Sequence, residues 1–342
     1  MRRMKKVVIC LLLLGIIGRF VFLASDWIRC KKIQRMGLTG KIFFSGFGDN
    51  ICSLDLSTGK CRRTGEKGGW DGGLALSPDG KKLAFLSSKE KEGLVIMDLK
   101  TKTKELIAKA KHGMDISWSP DGKKIAFVST RDGSADIFFM NFDGSDVQNI
   151  TRSSTPEYSP AWTLDDNKIV FSSHTGNMQV YKYNISSEKK ILLTADINYD
   201  AEPTVSLDGS NLVVFESNRY DNDYSALYVM GLDGGNPKRL SPNRNKKYDT
   251  SPSFSQDGTK IVFVSKDYFN QTDIYVMNAD GSNIQQITNT REFSEMSPSW
   301  SPDGEYIIFS RDNSAIYVIK ADGSDLELIV EISEVNYPSW RP

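Results

Sequence analysis

The chain has 342 residues, 39% hydrophobic and 11% aromatic. That is enough to bury the core of one large all-β domain or two ordinary ones, and it excludes a disordered polymer. Lys plus Arg and Asp plus Glu both total 43, so the formal charge is zero and no nucleic-acid partner is expected. Four cysteines and two histidines are too few for a disulfide framework or a zinc site.

In chain order, the first element is an export segment. Arg2, Arg3, Lys5 and Lys6 precede the apolar run VVICLLLLGIIG at residues 7–18, and FVFLA follows Arg19. A basic start before an apolar stretch keeps its basic end in the cytoplasm and sends the rest out, so an extracytoplasmic protein is expected. Residues 1–28 read as a signal anchor held in the membrane, with a signal peptide cleaved on secretion as the alternative. Ile9 and Arg29, preceding Cys10 and Cys30, rule out a lipoprotein box. Residues 29–40 form a linker. Next comes NICSLDLSTGKCRRTG, whose Cys52 and Cys61 lie on two arms of one hairpin. An oxidising compartment would allow a disulfide between them, and two unbridged neighbours fit equally well.

From residue 41 to 342 the sequence repeats. SWSPDGKKIAFVS at 117–129 has relatives in LSPDGKKLAFLS from Leu76, WTLDDNKIVFSS from Trp162, VSLDGSNLVVFES from Val205, FSQDGTKIVFVS from Phe254 and WSPDGEYIIFS from Trp300, spaced by intervals in the forties. Each unit continues with an apolar run such as DIFFMNFDGS (136–145) and a short last strand such as VQNIT. Tyr, Phe, Ile and Val in the runs, with Gly, Asp, Asn and Pro between them, indicate strands joined by tight turns. Each unit is therefore read as four strands, A to D, from an axis to a rim. The B strands are predicted at 41–45, 81–87, 123–129, 168–173, 211–217, 260–265 and 305–310. The first unit has no A strand, and the chain ends on YPSWRP, an A strand with nothing after it. The two fragments complete one blade and leave no open edge. The expected fold is all-β: a seven-bladed β-propeller closed by three N-terminal strands and one C-terminal strand, with six blades as the alternative.

These units resemble the WD40-like (TolB-type) propeller repeat, with W-S-P-D-G-K followed by I-A-F-x-S and I-Y-V-M-N-x-D-G-S, best matched at 114–151 and 250–320. The resemblance implies the propeller but no single function, because such propellers occur in periplasmic TolB, in prolyl oligopeptidase-like enzymes, in tricorn-like proteases and in sugar lyases. The α/β domain that precedes the propeller in TolB has no counterpart in the short stretch before residue 41.

The chemistry of the units favours architecture over catalysis. No G-x-S-x-G elbow is present, and His112 and His174 lie in variable loops without a nucleophile context. Segments such as NFDGSD (141–146) and NADGSN (278–283) look like calcium loops but lack the twelfth-position glutamate, and they stand where a C-to-D turn is needed. No cofactor or metal is expected. Five residues before the A-strand aromatic position stand Asp71, Gly113, Glu157, Asp200, Asp249, Glu295 and Val335, an acidic ring broken by Gly113 and Val335. Such a ring at a channel mouth would bind a cation or a basic peptide, or pair with Lys89, Arg131, Arg219, Lys266, Arg311 and His174 at the ends of the B strands.

The A-to-B and C-to-D corners are nearly uniform, whereas the B-to-C and D-to-A loops vary and share the other face. Arg131, Tyr199, Arg219, Tyr220, Tyr224, Tyr248, Tyr268 and Arg291 gather there, residue types enriched at protein interfaces. The expected function is a monomeric, non-enzymatic propeller that binds a protein or peptide partner in the cell envelope, with a membrane contact through residues 1–28. The alternative is a polysaccharide lyase or hydrolase using the acidic ring, with or without a divalent metal.

Overall fold

The computed structural model describes residues 38–46, 50–67, 73–87, 93–109, 114–194, 198–221, 224–242, 247–290, 292–331 and 336–341. The expected membrane segment, Asp71, Lys89, His112, Gly113, Arg291 and Val335 lie outside them. Among the described residues all regular elements are strands, and no helix is long and apolar enough to cross a membrane. The strands pair into seven antiparallel sheets of four. Blades 1 to 6 span residues 74–109, 114–149, 157–192, 200–239, 248–286 and 295–331. Blade 7 joins the two ends of the chain: Lys41–Gly46 pairs with Asn50–Asp55 on one side and with the last strand, Asn336–Arg341, on the other. Seven blades and the expected closure are thus both present.

The B strands follow the reading to within a residue or two, except Leu212–Asp221 in blade 4, which continues past residue 217 through a shift in register. Their near-continuous apolar runs follow from burial on both faces. In blade 7, Ile42 and Phe44 enter the core shared with blade 6, while Phe43 between them enters the core shared with blade 1. Successive side chains on a strand point to opposite sides, so one strand feeds two inter-blade cores. The recurrent B-strand phenylalanines Phe85, Phe127, Phe171, Phe215, Phe263 and Phe309 are all at most 1% exposed.

The tryptophan of the repeat couples neighbouring blades. The indole N–H of Trp118 donates to the carbonyl of Ala75, Trp162 to Ser117 and Trp300 to Ser253, each reaching the A strand of the preceding blade at 3.0–3.1 Å. Trp340 of the closing strand donates to Thr39 at 3.3 Å. The Asp-Gly corner is equally structural. Asp121 accepts from the Ser119 hydroxyl and the Lys123 N–H, the Lys124 N–H donates to Ser119 Oγ, and Gly122 takes φ 71°, which a glycine adopts without strain. The calcium-like segments close their own turns: Ser145, Ser282 and Ser324 each donate to the Asp two residues earlier at 2.6 Å.

Cys52 lies opposite Arg63 and Cys61 opposite Leu54, so the cysteines are diagonal neighbours, and both are thiols, Cys52 buried and Cys61 exposed. A disulfide needs Cα atoms within about 7 Å, and diagonal residues sit at about 7–8 Å. This register does not form the bridge.

Candidate functional site

The A strands surround an axial channel that opens into a cavity of about 810 Å³ at the corner end, lined by Leu76, Phe254, Trp300 and Trp340, and another of about 400 Å³ further along. The acids that line the smaller cavity are Asp115 and Glu202. Both occupy a bulge in the A strand, with Ser159, Ser251 and Ser297 at the same place in other blades and φ between 38° and 54° for all five. The N–H of Ser159 donates to Asp115 at 2.8 Å and that of Ser251 to Glu202 at 2.7 Å, so these carboxylates tie each blade to the next.

The expected acidic ring sits two residues earlier and faces elsewhere. Glu157, Asp200, Asp249 and Glu295 are at most 2% exposed and turn into their blades instead of ringing the channel mouth. The bulge between the two positions breaks the two-residue alternation, so spacing alone assigned the wrong acids to the channel. Inside the blade Glu157, Asp200 and Glu295 meet a repeated arrangement. Cross-strand aromatic pairs, Phe171 with Tyr181, Phe215 with Tyr228 and Phe309 with Tyr317, form a platform on which a cation lies, and the cation meets the A-strand carboxylate. In blade 4 one nitrogen of Arg219 donates to both oxygens of Asp200 at 2.9 Å while its Cζ stands 5.0 Å from the Tyr228 ring. In blade 6 Arg311 meets Glu295 at 2.9 Å and lies 4.1 Å from Tyr317. In blade 3 the cation is Lys190, 3.3 Å from Glu157 and 4.5 Å from the Tyr181 ring.

His174, the expected partner of Glu157, is instead exposed at the strand end. Lys190 reaches Glu157 from the outermost strand across the aromatic platform, a contact between distant strands that cross-strand pairing does not suggest. Burial outweighs these cations at two sites: it pushes the carboxyl of Glu157 up, and that of Glu295 up to about 7 despite Arg311.

Several B-to-C and D-to-A loops carry exposed rings. Tyr268 and Phe269, 64% and 77% exposed, cap the B-to-C loop of blade 5, and Tyr199 and Phe293 stand exposed in D-to-A connections. Tyr224 and Tyr248 pack against each other with centroids 5.2 Å apart. Tyr220 lies in the extended strand of blade 4. Arg131 and Arg219 are half-buried on their platforms, so Arg219 is committed to Asp200. Phe269 and Phe293, missed in the sequence, lie beside the tyrosine and arginine that were noted, in the loops YFN and REF.

Glu216 adds a titrating group at the junction of blades 4 and 5. Burial pushes its carboxyl up to about 8, with repulsion from Glu202 and Asp249 adding and a hydrogen bond to Ser225 opposing. The folded state therefore holds the proton more tightly than the unfolded state. This contribution is present in full below the unfolded value of 4.5 and is lost as pH rises to about 8. Glu216→Gln is expected to flatten that decline, so thermal melts of variant and wild type should diverge between pH 5 and 8, with the variant more stable at the upper end.

Among the described residues no three His, Cys, Asp or Glu side chains converge to hold a metal ion. A family model described as the TolB beta propeller domain matches residues 73–224 and 218–342. The chain is similar to the Tol-Pal system protein TolB of Francisella tularensis subsp. tularensis (strain WY96-3418), 29% identical over 182 residues, 52% of this chain and 41% of that protein. The match thus spans less than half the length of that relative. Solved structures with similar folds include TolB from Acinetobacter baumannii, with TM-score 0.58, 19% identity and coverage of 91% of this chain and 85% of that one. They also include an oligogalacturonate lyase in complex with manganese, with TM-score 0.63, 13% identity and coverage of 86% of each chain. At these identities the two structures speak to fold alone.

Proposed function

Because the chain belongs to the TolB β-propeller domain family, we propose that it is a non-enzymatic, extracytoplasmic binding propeller. It is tethered to the membrane through residues 1–28 and engages a protein or peptide partner of the cell envelope with its B-to-C and D-to-A loop face. The observation that carries this reading is the distribution of exposed aromatic rings. Among the described residues Tyr199, Tyr268, Phe269 and Phe293 are exposed in those loops, whereas the opposite corners expose one aromatic ring, Phe142. A cation stands over Phe142 (Lys82, 5.5 Å) and over Phe293 (Arg311, 5.3 Å), so the contrast rests on Tyr199, Tyr268 and Phe269. Exposed aromatics on a rigid frame supply contact area at low entropic cost. The similarity to a Tol-Pal system protein supports an envelope setting. Three carboxylates on which the alternative enzymatic reading would draw, Glu157, Asp200 and Glu295, are held by cations inside the blades.

The test is affinity capture from envelope extract with the full chain and with a Tyr268→Ala, Phe269→Ala variant. Both rings are exposed, so the fold should be unaffected, and the specifically captured proteins should fall by about tenfold or more, as hot-spot aromatics do. The same proteins captured at the same level by the variant would refute the assignment of the face.

A further inference from the structure

Blades 2 and 4 hold an arginine in the same pose. In blade 4 the N–H and Nε of Arg219 donate to Ser217 Oγ at 3.2 and 2.9 Å, and Cζ stands 5.3 Å from Phe215 and 5.0 Å from Tyr228. In blade 2 the N–H and Nε of Arg131 donate to Ser129 Oγ at 3.3 and 3.4 Å, and Cζ stands 5.3 Å from Phe127 and 4.5 Å from Phe138. What differs is the acid. Asp200 meets Arg219 through both carboxylate oxygens, whereas the sequence position equivalent to Asp200 in blade 2 is Gly113. Nη2 of Arg131 is buried with no hydrogen-bond partner among the described residues. Among the described residues the anion acting on it is its chain neighbour Asp132, which accepts a hydrogen bond from Asn149.

We propose that Arg131 is a carboxylate-binding site, in which a carboxylate of the bound partner takes the place in blade 2 that Asp200 takes in blade 4. The chain itself provides the template for the ligand. A guanidinium already fixed by two aromatic rings and a serine has lost its rotamer freedom before the ligand arrives, and its desolvated N–H regains a hydrogen bond on binding. A planar carboxylate matches the fork of donors. The site specifies the chemistry of the partner, an acidic side chain or a chain terminus, and rests on the reading of the loop face as a binding face.

The test follows the arginine Nε–H resonances of the full-length chain in detergent micelles at constant ionic strength, with Arg131→Gln used to assign the signal. Sodium acetate is expected to move the Arg131 resonance saturably, with a midpoint at least about tenfold lower than at the exposed Arg62, the difference one charge-assisted hydrogen bond supplies. N-acetylglutamate amide and N-acetylglycine separate a side-chain carboxylate from a chain terminus as the better occupant. Gly113→Asp supplies the missing acid from within and is expected to abolish the response. Arg131 responding no more strongly than Arg62, or methyl phosphate binding more tightly than acetate, would overturn the proposal, and either comparison is made on the wild-type chain. Because acetate needs no cellular partner, a failed capture with an intact acetate response would overturn the envelope reading and leave the site standing.

Discussion

Deletion of residues 336–342 is expected to abolish cooperative folding of the propeller. The last strand pairs with Lys41–Gly46, and Trp340 packs beside Tyr306 with ring centroids 6.2 Å apart and joins the core between blades 6 and 7. Without it Ile42 and Phe44, both 0% exposed, lose one wall of their core, and the strand that carries them becomes an open edge. Exposure of each such side chain costs about 1.5–3 kcal/mol, and with the tryptophan removed as well the sum approaches the roughly 5–15 kcal/mol by which whole domains are stable. Circular dichroism melts and size-exclusion chromatography should show a broad, uncooperative transition and aggregation. A truncated chain that melts like the full one would show that the ring is not closed by its two ends.

The second large effect belongs to the buried charges. Arg219→Ala should lower stability by about 3–5 kcal/mol, because it strands Asp200, 0% exposed, without its bidentate partner. The double variant Asp200→Asn, Arg219→Ala should recover much of that loss, since the cost is the uncompensated charge and not the pair itself. Arg131→Ala strands no acid and should cost well under half as much. Urea midpoints of the four chains measure all three statements. Equal losses for Arg219→Ala and Arg131→Ala would mean that ring stacking, not the carboxylate, sets the energy of these boxes.

Most of the fold was legible because the repeat made each reading check the next. One Asp-Gly pair is ambiguous, but its return after five of the seven A strands assigned it to a corner, and the unmatched strand fragments at the two ends predicted the closed blade. The acids were harder to read. Alignment on the tryptophan groups Glu157, Asp200, Asp249 and Glu295 at one strand position, yet the bulge at Ser159, Glu202, Ser251 and Ser297 turns that set inward, and Asp115 and Glu202 line the channel. A single inserted residue carries no sequence signal strong enough to announce that change of face.

The cations show the same limit. Arg219 and Arg311 follow from the ends of the B strands, but Lys190 comes from the rim, and its role depends on a platform of Phe171 and Tyr181 that only the folded blade assembles. The sequence marked Gly113 as the place where the acidic ring is interrupted, in the blade whose Arg131 has Nη2 buried without a hydrogen-bond partner among the described residues. Its meaning emerged when the structure showed Arg131 and Arg219 in one pose with one acid between them.

The proposed binding face is tested most directly by hydrogen exchange of the chain with and without its captured partner. Slowed exchange is predicted in the loops around Tyr199, Arg219, Tyr268 and Phe293, with the corners at residues 119–124, 255–260 and 301–306 unchanged. Protection confined to those corners, with the aromatic loops exchanging as before, would place the partner on the opposite face and contradict the account.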